Sequence, residues 1–177
     1  MVMTLEYLLK KPKMGHSVKD LSKINSVIDL IGSTPLIKLN SFPEIQSDNE
    51  IYIKAEWFNP GGSIKDRAAL KMILEGINNN ELNSKKTIMD SSSGNTAIAY
   101  AMIGAALGYK VELVTPENIN IERKKTLEAY GAKIIYSSPF EGSDGAIIEA
   151  RKLAHKFSDK YFMPDQYNNP SNPLAHF

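Results

Sequence analysis

The sequence predicts an α/β protein with a parallel sheet covered by helices. Three observations carry that reading. From Thr87 onward apolar runs of strand length alternate with helical patterns, and strand starts recur about every 23 to 29 residues, the length of a β-α crossover unit. Gly108 and Gly131 stand where two of the helical patterns end. The composition, 42% hydrophobic and 23% charged, is that of an ordinary globular chain.

Taken in order, "INSVIDLIGSTPLIKLN" reads as a short helix ending near Gly32, then an extended segment after Pro35. "EIYIKAEWFN" alternates Ile51, Ile53 and Ala55 against Tyr52, Lys54 and Glu56, the period of a strand. "SIKDRAALKMILEGINN" keeps Ile64, Ala68, Met72 and Ile73 near one helical face and frays in Asn78–Asn80. The regular part follows: "TIMDSS" (strand), "TAIAYAMIGAALG" (helix), "KVELVTP" (strand), "NIERKKTLEAYG" (helix), "AKIIYSS" (strand), "DGAIIEARKLAHKF" (helix) and "YFMPD" (strand). "QYNNPSNPLAHF" is a polar Asn/Pro loop that stops where another helix would begin.

A chain of 177 residues is long enough for one domain, or one domain and part of a second. A formal net charge of +1 offers no electrostatic attraction to nucleic acid or to an anionic membrane surface. No cysteine occurs, so disulfides and thiolate metal sites are excluded, and the cytoplasm is the expected compartment. The opening "MVMTLEYLLKKPKMGHSVKD" has no small-residue cleavage site and is expected to be a loose arm rather than a signal peptide, and no apolar stretch is of membrane-spanning length.

One residue breaks a local rule. In "NPGGSIKDRAAL" Ser63 and Asp66 have the spacing of a capping box and Pro60-Gly61-Gly62 enforces a turn, yet Lys65 puts a cation at the positive end of the helix dipole. Such departures concentrate at functional sites, which makes Lys65 a candidate for chemistry that needs an amine; a solvated surface lysine is the plain alternative. A second loop, "DSSSGNTA", offers Ser91, Ser92, Ser93, Gly94, Asn95 and Thr96 at a strand-to-helix junction, a donor-rich setting for a carboxylate or equally an ordinary helix cap. "EGSDGA" before the next helix is a plain turn capped by Ser143 or Asp144, with phosphate binding as the lesser reading. His16, His155 and His176 lie too far apart for a metal site, "ERKK" at Glu122–Lys125 is a wet helix face, and Trp57 and Phe58 are expected in the core.

Together, Pro60-Gly61-Gly62-Ser63-Ile64-Lys65-Asp66-Arg67, Ser92-Ser93-Gly94-Asn95-Thr96 and Gln166-Tyr167-Asn168-Asn169-Pro170-Ser171-Asn172-Pro173 resemble the pyridoxal-phosphate-dependent cysteine synthase and cystathionine β-synthase family, fold type II. "IGSTPLIKL" and "ERKKTLEAYGAKII" look like the same family in the same order, from about Ile24 to the last residue. The resemblance implies a three-layer sandwich, with residues 1–23 as an N-terminal arm, 24–84 as the first part of a larger cofactor domain, 85–165 as a smaller α/β domain and 166–177 as the return to the larger one. It implies that Lys65 forms the Schiff base with pyridoxal 5'-phosphate and later removes the substrate's α-proton. Asn95 would bond the cofactor ring oxygen, and Ser92, Ser93, Gly94, Thr96 and Gln166 would hold the amino-acid carboxylate.

The implied reaction is β-replacement. A serine derivative loses its β-substituent and a sulfur nucleophile takes its place, with O-acetylserine, O-phosphoserine or serine as donor and sulfide, a protein thiocarboxylate or homocysteine as acceptor. The implied partners are these small molecules and, at full length, a second copy of the chain. Two departures stand out: Ala97 where the family often has glycine, and no glycine-rich phosphate loop or Ser/Thr partner for the pyridine nitrogen before Phe177. The expectation is therefore the N-terminal half of such an enzyme, inactive and without tight cofactor binding by itself, with Leu36, Ile37, Ile51, Ile53 and Trp57 exposed. A cystathionine-forming condensation, a non-catalytic amino-acid-binding module and, less in keeping with the absence of a glycine fingerprint, a general nucleotide-binding domain are the alternatives.

Overall fold

The computed structural model describes residues 24–39 and 49–177. The expected arm over residues 1–23 and its His16 lie outside the described residues. A one-turn 3-10 helix, Val27–Leu30, is closed by a capping box between Ser26 and Asp29 and leads into β1, Leu36–Leu39. Strand β2, Ile51–Lys54, pairs antiparallel with β1, Leu36 opposite Lys54 and Leu39 opposite Ile51. All four residues of β2 are exposed, Ile51 and Ile53 among them as expected. Leu36 and Ile37 of β1 are open as well, and Trp57 is 57% exposed, in line with the exposed patch expected of the half-length chain; Phe58, 5.9 Å from Trp57 and 60% exposed, corrects the reading of this pair as core.

Beyond the lysine loop, α1 (Lys65–Asn78) is followed by β3 (Thr87–Ser91), α2 (Asn95–Leu107), β4 (Val111–Pro116), α3 (Ile121–Ala129), β5 (Lys133–Ser137), α4 (Gly142–Lys156) and the two-residue β6 (Tyr161–Phe162). Gly108 and Gly131 adopt φ of 77° and 78° where α2 and α3 stop, a left-handed conformation that costs glycine nothing. β3 to β6 form one parallel sheet in the order β5-β4-β3-β6. Helix α2 is apolar on almost every side and is accordingly enclosed; Tyr100, Ala101 and Ile103 pack with Met72 and Ile73 of α1 and Ile88 and Leu113 of the sheet. On the other face Ala146 and Ala150 of α4 meet Val114 and Ile135. The sheet thus has helices on both sides, the three-layer arrangement that parallel strands require.

The strand order places the site. The chain runs outward from β3 through β4 to β5, then returns to the opposite flank of β3 as β6. In open parallel sheets the crevice at such a reversal, outside the carboxyl ends of the strands, is where ligands bind. Here it lies between the loop after β3 and the loop after β6, the segments that contain Ser92–Thr96 and Gln166.

Candidate functional site

Lys65 is the first residue of α1 and is half-buried. Its backbone N–H donates to Ser63 Oγ at 3.2 Å. The predicted capping box does not close, because the Asp66 carboxylate reaches past Ser63 to accept from Gly61 N–H at 2.5 Å and so clamps the glycine turn. Asp66 is fully buried; burial raises its pKa, Gly61 opposes the rise, and the carboxyl is left at about 6, with Oδ1 lacking a partner. Three lysines of this region differ in what holds them. The Lys54 ammonium donates to the Thr34 carbonyl, and that of Lys71 pairs with Glu75 at 3.4 Å. The ammonium of Lys65 has no hydrogen-bond or ion-pair partner among the described residues.

A buried network fixes the loop from behind. Arg67 donates to Glu56 Oε2 from Nε at 2.8 Å and to Glu56 Oε1 and Thr34 Oγ1 from Nη2 at 2.9 and 3.1 Å. Asn59 Nδ2 donates to Glu56 Oε2 at 2.8 Å and its Oδ1 accepts from Gly32 N–H at 2.8 Å. Burial works against charge on Glu56, but the hydrogen bonds from Arg67, Thr34 and Asn59 and the charge of Arg67 prevail and hold its pKa at about 2.

The serine loop leaves β3 with Ser92 N–H donating to Val114 O at 3.2 Å, and Gly94 N–H donates to Ser92 Oγ at 3.3 Å. Asn95 opens α2, exposed, its side-chain amide unbonded among the described residues. Thr96 Oγ1 donates to Gln166 Oε1 at 2.8 Å, and Gln166 Nε2 donates to Ser91 O at 2.9 Å, so two sequence-predicted residues 70 positions apart meet across the reversal in the sheet. Ser92, Ser93 and Gly94 border a cavity of about 190 Å3 together with Ser91, Ser143 and Tyr167. Lys65, Asn95, Thr96 and Gln166 do not border it.

Sequence reasoning missed the residues beneath this loop. Asp90, fully buried at the end of β3, accepts from Ser91 N–H at 2.8 Å, from the Tyr100 hydroxyl at 3.0 Å and from Gln166 N–H at 3.2 Å. Asn172 Nδ2 adds a bond to Gln166 O at 2.7 Å. Burial pushes the Asp90 carboxyl up to about 6 in spite of these donors, and Tyr100 is raised well above its ordinary value by burial and by the Asp90 charge. The signal was a carboxylate directly after the apolar Ile88 and Met89 of a strand, which is costly to bury unless it is bonded. Tyr100→Phe is expected to lower stability by roughly 1.5–3 kcal/mol above about pH 6, where Asp90 is charged, and by less below it; urea unfolding at two pH values checks this.

The expected cap of α4 is also different: Glu141 is the N-cap, without a side-chain bond, and Ser143 lies inside the first turn. Neither Ser143 nor Asp144 caps. His155 and Glu122, Arg123 and Lys125 lie on exposed faces, and no His, Cys, Asp or Glu cluster suited to a metal occurs among the described residues. No helix among them is long and apolar enough to cross a membrane.

The family model described as pyridoxal-phosphate dependent enzyme matches residues 27–177. The chain is 49% identical over 154 residues to the cysteine synthase of Aquifex aeolicus, covering 86% of this chain and 47% of that protein. Among solved structures it is similar to the cysteine synthase of Entamoeba histolytica, with a TM-score of 0.84 and 33% identity over 93% of this chain and 50% of that one. It is also similar to an O-acetylserine dependent cystathionine beta-synthase from Helicobacter pylori, with a TM-score of 0.79 and 37% identity over 86% and 50% of the two chains. The chain spans about half the length of the relatives it matches.

Proposed function

The chain belongs to the pyridoxal-phosphate dependent enzyme family, and from that premise we propose that it serves a cysteine synthase-type β-replacement, exchanging the β-substituent of a serine derivative for a sulfur nucleophile. The observation that carries the reading is the state of Lys65: half-buried at a positive helix end with an amine unpaired among the described residues, while Lys54 and Lys71 are engaged. Asn95 supports it with an exposed amide, unbonded among the described residues, at the start of α2. These free groups, at the starts of two helices that pack on each other, fit a cofactor that needs one amine and one amide.

Bound pyridoxal phosphate supplies a carbon that an amine can attack and an electron sink for a carbanion. Lys65 Nζ holds the cofactor and, once released, takes the proton from the substrate's α-carbon. The Asn95 amide orients the ring. Ser92, Ser93, Gly94, Thr96 and Gln166 hold the substrate carboxylate; for Thr96 this means turning its hydroxyl away from Gln166, its present acceptor. The donor we favour is O-acetylserine or O-phosphoserine, with sulfide as acceptor. A homodimer in the cytoplasm, and a division at residues 84/85 and 165/166 between a larger and a smaller domain, complete the proposal.

Thr96→Ala removes one hydrogen bond to an ionised group, so donor affinity in the complete protein is expected to fall roughly ten- to hundred-fold with cofactor attachment unchanged. Steady-state kinetics with O-acetylserine and sulfide test it. A donor KM within about twofold of the parent would contradict the carboxylate role of the loop.

A further inference from the structure

The turn Glu141–Ala146 reads from sequence as a plain cap, yet in the fold it faces the serine loop. Ser143 and Ala146 border the same cavity of about 190 Å3 as Ser91, Ser92, Ser93 and Gly94. Two helix starts converge there. In α2 the first intrahelical bond is made by Ile98 N–H to Gly94 O, and in α4 by Gly145 N–H to Glu141 O, so the N–H groups before them have no intrahelical acceptor. A second, independent observation points to a ligand: Ser91, only 2% exposed, borders this cavity and its hydroxyl has no partner among the described residues.

We propose that the cavity is a two-sided carboxylate site, in which the hydroxyls of Ser91 and Ser143 and the N–H groups opening α4 bind the anion opposite Ser92, Ser93 and Gly94 of the serine loop. The inference rests on the reading of that loop as a carboxylate site and extends it to a second helix. Every donor is neutral, since no lysine, arginine or histidine borders the cavity, and this suits a singly charged group. The volume lies below the roughly 300–1,000 Å3 of pockets for larger organic ligands, which suits the head of an amino acid. The unpartnered Ser91 hydroxyl then has a role, as a donor that the bound carboxylate satisfies.

The test is a titration of the full chain followed by backbone amide shifts, with sodium acetate, O-acetyl-L-serine and L-serinamide as probes. Both carboxylates are expected to move Gly142, Ser143 and Asp144 together with Ser93 and Asn95, and L-serinamide, which lacks the anion, neither group. Ser143→Ala is expected to weaken O-acetyl-L-serine binding roughly tenfold or more, and Ser143→Thr to restore it. Ser91→Ala carries a signature that a structural role lacks: weaker binding, with the melting temperature of the free chain unchanged or raised, because an unsatisfied buried hydroxyl is gone. Shifts confined to Ser93 and Asn95 would overturn the inference and leave the loop reading intact. No shifts at all would overturn both. Lower stability without weaker binding in Ser91→Ala would also overturn it. Covalent labelling of Lys65 by pyridoxal phosphate, measured on the same variants, reports on the proposed function separately.

Discussion

In the complete protein, Lys65→Ala is expected to abolish cofactor attachment and turnover while leaving the fold in place. Loss of the proton transfer alone is expected to cost roughly 10²–10⁴-fold in rate, and loss of the covalent anchor adds to it. The fold tolerates the change because the side chain has no hydrogen-bond or ion-pair partner among the described residues, so stability is expected to move by no more than about 0.5 kcal/mol. Alanine also forms helix at least as well as lysine and brings no cation to the dipole. Turnover and a thermal melt on the same preparation check both halves. A variant that melts far below the parent would show that Lys65 serves packing rather than chemistry.

Arg67→Ala is the second large effect, and it falls on stability. Arg67 and Glu56 are both largely enclosed, their side chains 15% exposed, and removing the cation leaves a buried carboxylate with only the Thr34 hydroxyl and the Asn59 amide. Breaking a buried pair from one side costs roughly 3–5 kcal/mol. For a chain of this size that lowers the melting temperature by roughly 10 °C. The sign of its pH dependence follows from Glu56. Its pKa in the folded chain is about 2, below the ordinary 4.5, so its contribution is complete above about pH 4.5 and is lost as pH falls towards about 2. The gap between parent and variant should therefore close across that acid range. A gap independent of pH would mean that the guanidinium acts through packing instead.

The parts of the fold that were legible in the sequence are those set by local pattern. Periods of 2 and 3.6, Gly108 and Gly131 as stops, and crossover-length spacing were enough to anticipate β3 to β6 and the helices between them. Lys65 was visible for the same reason, since a cation at a helix start conflicts with a rule that acts over one turn. What was not legible depends on strand order. The meeting of Thr96 with Gln166 follows from β6 returning beside β3; the family resemblance implied it by setting both on one carboxylate, but nothing in the local pattern near either residue encodes that order. The Asp90–Tyr100–Gln166 cluster and the Arg67–Glu56–Thr34 network are invisible for the same reason. Ser143 was misread as a cap because the start of α4 lies two residues earlier than the polar pattern suggests. In the hairpin the period of 2 gives the strand, and the exposure expected of Leu36, Ile37, Ile51 and Ile53 is what the structure has: among the described residues β1 and β2 pair only with each other, which leaves the faces of the ribbon open.

The central claim is that Lys65 is the residue that takes the cofactor. The most direct measurement is borohydride reduction of the complete protein after incubation with pyridoxal phosphate, followed by peptide mass mapping. The account predicts a reduced pyridoxyl adduct on Lys65, absent from Lys65→Ala. An adduct on Lys54 or Lys71 in its place, or labelling spread evenly over the exposed lysines, would contradict it.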